Sequence, residues 1–381
     1  REKPSFNVKW NHTQDAKSMN NANFSANVNY GSISYARQNS YNSDELYNNS
    51  ISSDITYSKR FAGTPLSFST SFNHSQQTSD STVYLTLPNV RLSATTFSPF
   101  KRKKAVGNPR FYEKITVSYS GEMQNKLQGA KMDSTFYTQK TLDAFTGGVR
   151  HSVPVSTSFQ LFKNINISPN FNYTERWYNE KILKTWDDIL PVYSKTDTTY
   201  GGFLLKKEDG FYRVYNYSFG ASASTNIYGM YQFRSSYLKA IRHLITPTVS
   251  YSLSPDFSEA KYNMYTTYTK NNEEVKYSPF EKGIYGVPGS QKQSVISFGI
   301  SNNLEAKIRD KNDTITGFKK IKLIENFSIN GSYNFAADSL RMSDISVGGY
   351  TTLFKRVTIR YSAMFDPYAL ISKEVDGKTK L

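Results

Sequence analysis

Along most of the chain, apolar and polar residues alternate with a period of two, the signature of strands whose two faces meet different surroundings. In 114–123, Ile115, Val117, Tyr119 and Met123 oppose Lys114, Thr116, Ser118, Ser120 and Glu122. In 215–225, Tyr215, Tyr217 and Phe219 oppose Asn216, Ser218 and Gly220. The run 295–309 sets Ile296, Phe298, Ile300, Leu304, Ala306 and Ile308 against Ser297, Ser301, Asn303, Glu305, Lys307 and Arg309. The same alternation marks 65–74, 327–335 and 356–365. A weaker form runs through 5–12, 22–35, 51–59, 83–96, 149–161, 165–177, 243–253 and 345–353. The pattern predicts about 14 strands, many reaching the roughly 9–11 residues that cross a bilayer at a tilt. Helical periodicity is confined to 182–190, where Ile182, Leu183, Trp186, Ile189 and Leu190 would line one face of a short loop helix.

A soluble sandwich turns its apolar faces inward, whereas a transmembrane barrel turns them out to lipid and keeps polar residues in a wet lumen. Strand length, the small polar residues of the second face and aromatics near strand ends (Tyr173, Trp177, Tyr361, Phe365) favour the barrel. The predicted fold is therefore all-β: an antiparallel transmembrane β-barrel of the outer membrane, with 1–381 as one barrel portion. Tight turns are expected at Phe61–Pro65 and Asn226–Gly229, and long excursions at 97–112, 124–144, 178–212 and 254–293. Such asymmetry suits a barrel with short periplasmic turns and long outer loops. Pro154, Pro169 and Pro247 fall inside strand runs; since proline removes a ladder hydrogen bond, a bulge is expected at each.

Composition changes this picture in three ways. The mean hydropathy of −0.58 suggests solubility only until the two faces are separated. The chain of 381 residues has no cysteine, which removes disulfides, thiolate metal sites and cysteine nucleophiles from it. Its 47 Lys and Arg against 31 Asp and Glu give a net charge of +16, which suits an anionic partner: nucleic acid, anionic lipid or phosphorylated glycolipid. Nucleic acid is the weakest of these, because the aromatics alternate along strands instead of forming one platform with the cations. The opening REKPSFNVKW has no apolar segment of a signal peptide.

Candidate chemistry is sparse. The four histidines, His12, His74, His151 and His243, lie on different predicted strands without metal-ligand spacing. An outer-membrane lipase dyad of His151 and Ser152 fails, because neighbours on a strand point to opposite faces. The basic run Lys101, Arg102, Lys103, Lys104, with Arg110, could grip lipid phosphates or form a solvated loop cluster. Glu305, Lys307 and Arg309 share one polar face and could guide an amphipathic anion or form lumen salt bridges. Arg242 and His243 open a strand, where a structural role at the membrane interface competes with ligand contact. No catalytic residue, metal or cofactor is predicted.

Several segments carry a resemblance. KAIRHLITPTVSYSLSPDF (239–257), YSPFEKGIYGVPGSQKQSVISFGISNNLEAKIRD (277–310), YNFAADSLRMSDISV (333–347) and MFDPYAL (364–370) resemble, in order, the barrel of the LptD family. LPNVRLSATTFSPFKRKKAVGNPRFYEKITVSYS (87–120) is similar to an earlier barrel portion of its Bacteroidetes-type branch. The resemblance implies an outer-membrane translocon of a Gram-negative bacterium that inserts lipopolysaccharide into the outer leaflet, through a polar lumen and a lateral strand seam. It implies an LptE-type lipoprotein plug, a periplasmic LptA-type bridge, and no bond chemistry. A passive porin and a non-transporting surface adhesin or scaffold are the alternatives. Family barrels have about 26 strands, and a jellyroll precedes them; neither that jellyroll nor its disulfides to the barrel are found in this chain. The tail EVDGKTKL lacks an aromatic terminal strand, so the chain reads as part of a longer protein.

Overall fold

A computed structural model describes residues 6–15, 17, 20–31, 50–77, 81–104, 107–133, 136–193, 198–235, 237–310, 317–353, 356–369, 373–375 and 378–380. The chain is built almost entirely of strands. The first seven are β1 (Asn7–Thr13), β2 (Ala22–Gly31), β3 (Ser50–Arg60), β4 (Leu66–Gln77), β5 (Thr82–Phe97), β6 (Thr116–Lys131) and β7 (Thr146–Ser156). There follow β8 (Phe159–Leu161), β9 (Ile165–Tyr193), β10 (Thr198–Thr225), β11 (Ile227–Gln232) and β12 (Leu238–Ser254). A side hairpin, β13 (Thr266–Lys270) and β14 (Glu273–Tyr277), precedes β15 (Gln293–Arg309), β16 (Phe318–Asn334), β17 (Ile345–Leu353) and β18 (Val357–Phe365). The last pair is β19 (Lys373–Val375) and β20 (Lys378–Lys380), and a short helix, α1 (Gln139–Asp143), the one α-helix among the described residues, lies between β6 and β7.

Sixteen strands form one antiparallel sheet in the order β1-β2-β3-β4-β5-β6-β7-β9-β10-β12-β15-β16-β17-β18, with β8 beside β9 and β11 beside β12. Each of the fourteen strands of that order carries one of the runs of alternation. Residue 5 of the first run and 32–35 of the second lie outside the described residues, and the run 149–161 extends past β7 onto β8. Among the described residues, β1 and β18 are the two edges of the sheet. No described helix is long and apolar enough to cross a membrane.

The apolar face stays uncovered. Val249 and Phe298 are register partners on β12 and β15, yet they are 46% and 37% exposed, and Ile300 nearby is 44% exposed. On β18, Val357, Ile359, Tyr361 and Phe365 are all exposed. A contiguous apolar surface of this extent fits lipid rather than water. Ser297, Ser301, Ser328, Asn330 and Thr248 occupy the opposite face.

Three expectations are corrected. Residues 182–190 are not a helix but part of the 29-residue β9, paired with β10 out to Tyr193. Of the five residues expected on one helix face, Ile182 and Trp186 lie an even number of residues apart and share a strand face, while Leu183 points to the other. Ile189 and Leu190 fall in the register shift between Asp187 and Pro191. Asn226–Gly229 is not a turn. β11 continues β10 along β12 in one unbroken register, with Thr246 donating to Asn226 Oδ1 at 2.9 Å, and the chain reverses after Gln232. The prolines expected to bulge do not shift the register. Pro154 pairs with Asn172, Pro169 with Ala221 and Pro247 with Ile300 in continuous ladders. Pro169 lies opposite the break between β7 and β8, and Pro247 opposite the break between β10 and β11, so the missing N–H faces a gap in the neighbouring strand. A bulge does occur at Pro88, where the β5–β6 register shifts between Thr86 and Asn89.

The Phe61–Pro65 turn forms as expected: Thr64 N donates to Phe61 O at 3.1 Å and Gly63 takes φ +73°, which glycine adopts without strain. Most connections at this end of the sheet are short, but the excursion 97–112, expected among the long outer loops, also lies here between β5 and β6. The short connection 78–81 lies at the other end, so the expected separation of short turns from long loops holds only in part. At the opposite end β9 and β10 run on as a two-stranded hairpin past their neighbours, and the chain between β12 and β15 folds back against it.

Candidate functional site on the polar face

Antiparallel register assembles a row of charges across four strands. Arg91 on β5 faces Glu122 on β6, Glu122 faces Arg150 on β7, and Arg150 faces Arg176 on β9. Glu122 accepts from Arg91 at 2.8 Å and from Arg150 at 2.7 Å. Arg176 donates instead to neutral acceptors, the Tyr285 carbonyl at 3.1 Å and Asn216 Oδ1 at 2.7 Å. Next to this row run Ser93, Ser120, Ser152 and Thr174, two residues along each strand and hence on the same face.

Over the row lies the segment 277–288, from the excursion between β12 and β15. The Tyr285 hydroxyl donates to the Glu122 carbonyl at 3.1 Å, and the Arg150 guanidinium sits 4.9 Å from the Tyr285 ring centroid. Tyr178 donates to the Gly286 carbonyl at 2.6 Å and stacks on Phe280. Tyr178, Val214, Met264 and Phe280 form a buried apolar cluster that anchors the segment to the base of the β9–β10 hairpin. Gly283 is required there: a Cβ would lie 2.7 Å from the Tyr178 ring.

A second site lies at the turn end of the same face. Arg242, Glu305, Lys307 and Lys320 border a cavity of ≈ 520 Å³ with Lys239, Met230, Phe233 and Phe318. Register accounts for the grouping, since Arg242 opposes Glu305, and Lys307 opposes Ala240 and Lys320. The Arg242–Glu305 pair is loose, at 3.9 Å. Lys307 Nζ lies over the Phe318 ring at 4.3 Å and Arg242 over Tyr228 at 5.2 Å. Four cations against one carboxylate, with apolar walls, suit a molecule that is anionic at one end and apolar at the other. Arg309 opposes Phe318 one step beyond the cavity.

The basic run 101–104 is not drawn into either site. Arg102 Nε and Nη2 both donate to Glu113, which also accepts from the Arg110 backbone N–H at 2.7 Å and is 4% exposed. The Arg102 guanidinium, with the backbone N–H groups of Arg110 and Arg102, holds the Glu113 carboxyl down at about 2. Arg102 thus folds its own loop, while Lys101, Lys103 and Lys104 stay exposed at the turn end. His151 and Ser152 point to opposite faces. The His151 Nδ1 lies 2.8 Å from the Tyr119 hydroxyl, with its ring on Trp177, whereas Ser152 lines the polar face. His243 Nε2 lies 3.1 Å from Asn302 Oδ1.

Arg91, Arg150, Arg176 and Tyr285 were not singled out by the sequence pattern. Each arginine stands on the polar side of a run of alternation, which is a signal, but only register shows that they meet.

A long antiparallel sheet with one exposed apolar face and one polar, charged face has the make-up of a membrane β-barrel wall. The family model described as LptD protein matches residues 1–368. The chain belongs to the LptD family, and so to the proteins of lipopolysaccharide transport and assembly. No curated protein matches it.

Proposed function

We propose that this chain is barrel wall of a Gram-negative outer-membrane translocon that inserts lipopolysaccharide into the outer leaflet. The saccharide and its charges follow the polar face, while the acyl chains leave sideways through a seam between strands. The observation that carries this reading is the cationic, apolar-walled cavity of Arg242, Lys307 and Lys320 beside Glu305. With short turns facing the periplasm, that cavity stands at the entry side. Arg309 and the exposed Lys101, Lys103 and Lys104 lie at the same end and raise the local concentration of an anion. The chain works as one barrel portion and makes or breaks no bond. An LptE-type lipoprotein fills the lumen, and an LptA-type bridge delivers cargo through a periplasmic jellyroll.

Depletion in the native cell tests the proposal. Surface lipopolysaccharide, read by labelling whole cells, is expected to fall while the molecule accumulates further in. Unchanged surface lipopolysaccharide on depletion overturns the reading in favour of a passive porin or an adhesin.

A further inference from the structure

The row of arginines under Tyr285 is over-supplied with positive charge. Three guanidiniums, Arg91, Arg150 and Arg176, stand in one row with one carboxylate, Glu122, and both oxygens of that carboxylate are taken by Arg91 and Arg150. Arg176 contacts no carboxylate among the described residues; its partners are a carbonyl and an amide oxygen. Arg150 and Arg176 are direct cross-strand partners, and like charges placed so are destabilising. Glu122 offsets Arg150, whereas Arg176 meets only neutral acceptors, so an anion bound between the two would relieve the repulsion.

The surroundings are those of an oxyanion site. A cavity of ≈ 390 Å³ is bordered by Ser120, Arg150, Ser152, Thr174 and Arg176, with no apolar residue among them. Each guanidinium carries five N–H donors in a planar fork and each hydroxyl can add one more. That donor set matches the several acceptor oxygens of a phosphoryl group, which arginine forks bind bidentately. The volume leaves room for part of the sugar that bears the group. Tyr285 touches both arginines, with its ring against Arg150 and its carbonyl on Arg176 Nε, and so helps to fix where the two guanidiniums stand.

We infer that Arg150 and Arg176, with the hydroxyls of Ser120, Ser152 and Thr174, form a phosphoryl-binding site on the polar face beneath Tyr285. The inference rests on the reading of that face as a glycolipid path, and it adds a phosphate-reading station distinct from the turn-end cavity.

The test uses the full-length protein in lipid nanodiscs and two probes: a bis-phosphorylated acyl-glucosamine disaccharide and the same lipid without its phosphates. Arg176→Gln is expected to weaken binding of the phosphorylated probe by roughly ten- to a hundred-fold, the loss associated with a charge-assisted hydrogen bond. Binding of the dephosphorylated probe should not change, and Arg176→Lys should restore part of the affinity. Competition by millimolar inorganic phosphate would mean that the site accepts the free ion. Failure to compete, with the Arg176→Gln effect intact, assigns it to the lipid-borne group. Equal affinity of Arg176→Gln and wild type for the phosphorylated probe overturns the site, as does equal weakening for both probes. These outcomes are separate from those of depletion. If depletion spares surface lipopolysaccharide while Arg176→Gln still loses the phosphorylated probe, the transport reading falls and the site stands. The reverse pattern removes the site alone.

Discussion

Glu113 shows how one side chain can take charges out of circulation. It receives both arms of Arg102 and the Arg110 amide in a loop that is otherwise exposed. A carboxyl lowered to about 2, against an ordinary value of about 4.3, stabilises the folded loop wherever it is ionised. That contribution is fully present above about pH 4.5 and is lost as the pH falls toward 2. Hydrogen exchange of residues 98–115, corrected for intrinsic rates, is therefore expected to be slow at pH 7 and to quicken below pH 4. Glu113→Gln should be fast already at pH 7 and largely insensitive to pH. Slow exchange in that variant would mean that the loop is held by something else. Glu208, on the projecting hairpin, is lowered by Lys206 first and by Lys181 in addition. It is paired at the surface, where salt screens such bonds, and Glu208→Gln should leave exchange in the hairpin nearly unchanged.

At the scale of elements, the segment 277–288 is a docked piece whose attachment is local. Phe280 is 7% exposed and lies between the Tyr178 and Tyr212 rings, while Gly283 admits no Cβ against Tyr178. Removing a buried phenylalanine side chain costs about 3–5 kcal/mol in a packed core. Phe280→Ala is expected to raise amide exchange in 277–288 by about 100-fold or more while β6, β7 and β15 keep their protection. Gly283→Val should do the same by crowding. Unchanged exchange would show that the cluster does not hold the segment.

This element also marks where the sequence stops being legible. Alternation locates β15 and puts Glu305 and Lys307 on one face, because a period of two is a local property. That Arg242 meets Glu305 depends on the register of β12 against β15, which the long connection 255–292 leaves open. That Met230 and Tyr228 lie beside Arg242 depends on where β11 turns into β12, for which the Asn-Gly spacing at 226–229 points to the wrong place. The helix-like spacing of Ile182 and Trp186 fits a strand equally well, so only pairing with Phe203 and Lys207 decides it. The docking of 277–288 on Tyr178 has no periodicity at all, since it joins residues about a hundred positions apart.

For the whole molecule, the question is which face of the sheet meets lipid, and residues 1–381 offer no native cysteine to compete with an introduced one. Phe298 and Ser297 are neighbours on β15 and point to opposite faces, and Val249 and Ser250 do the same on β12. In the barrel, Phe298 and Val249 stand in hydrocarbon and Ser297 and Ser250 in a wet lumen. Single-cysteine variants of the full-length protein in the membrane, treated with a charged maleimide, should therefore react at 297 and 250. They should be protected at 298 and 249, and a lipid-soluble quencher should show the opposite pattern. A soluble sandwich predicts no contact with that quencher at any of the four. The two ends of the sheet give a further comparison. Tyr200, 74% exposed on the projecting hairpin, replaced by cysteine should label in intact cells. Lys101→Cys, at the turn end, should label only after the outer membrane is opened. Labelling of both in intact cells would remove the periplasmic placement of the turn end. The cavity of Arg242 and Lys307 would then lose its role as an entry, whereas the phosphoryl site farther up the same face requires only that the face be wet.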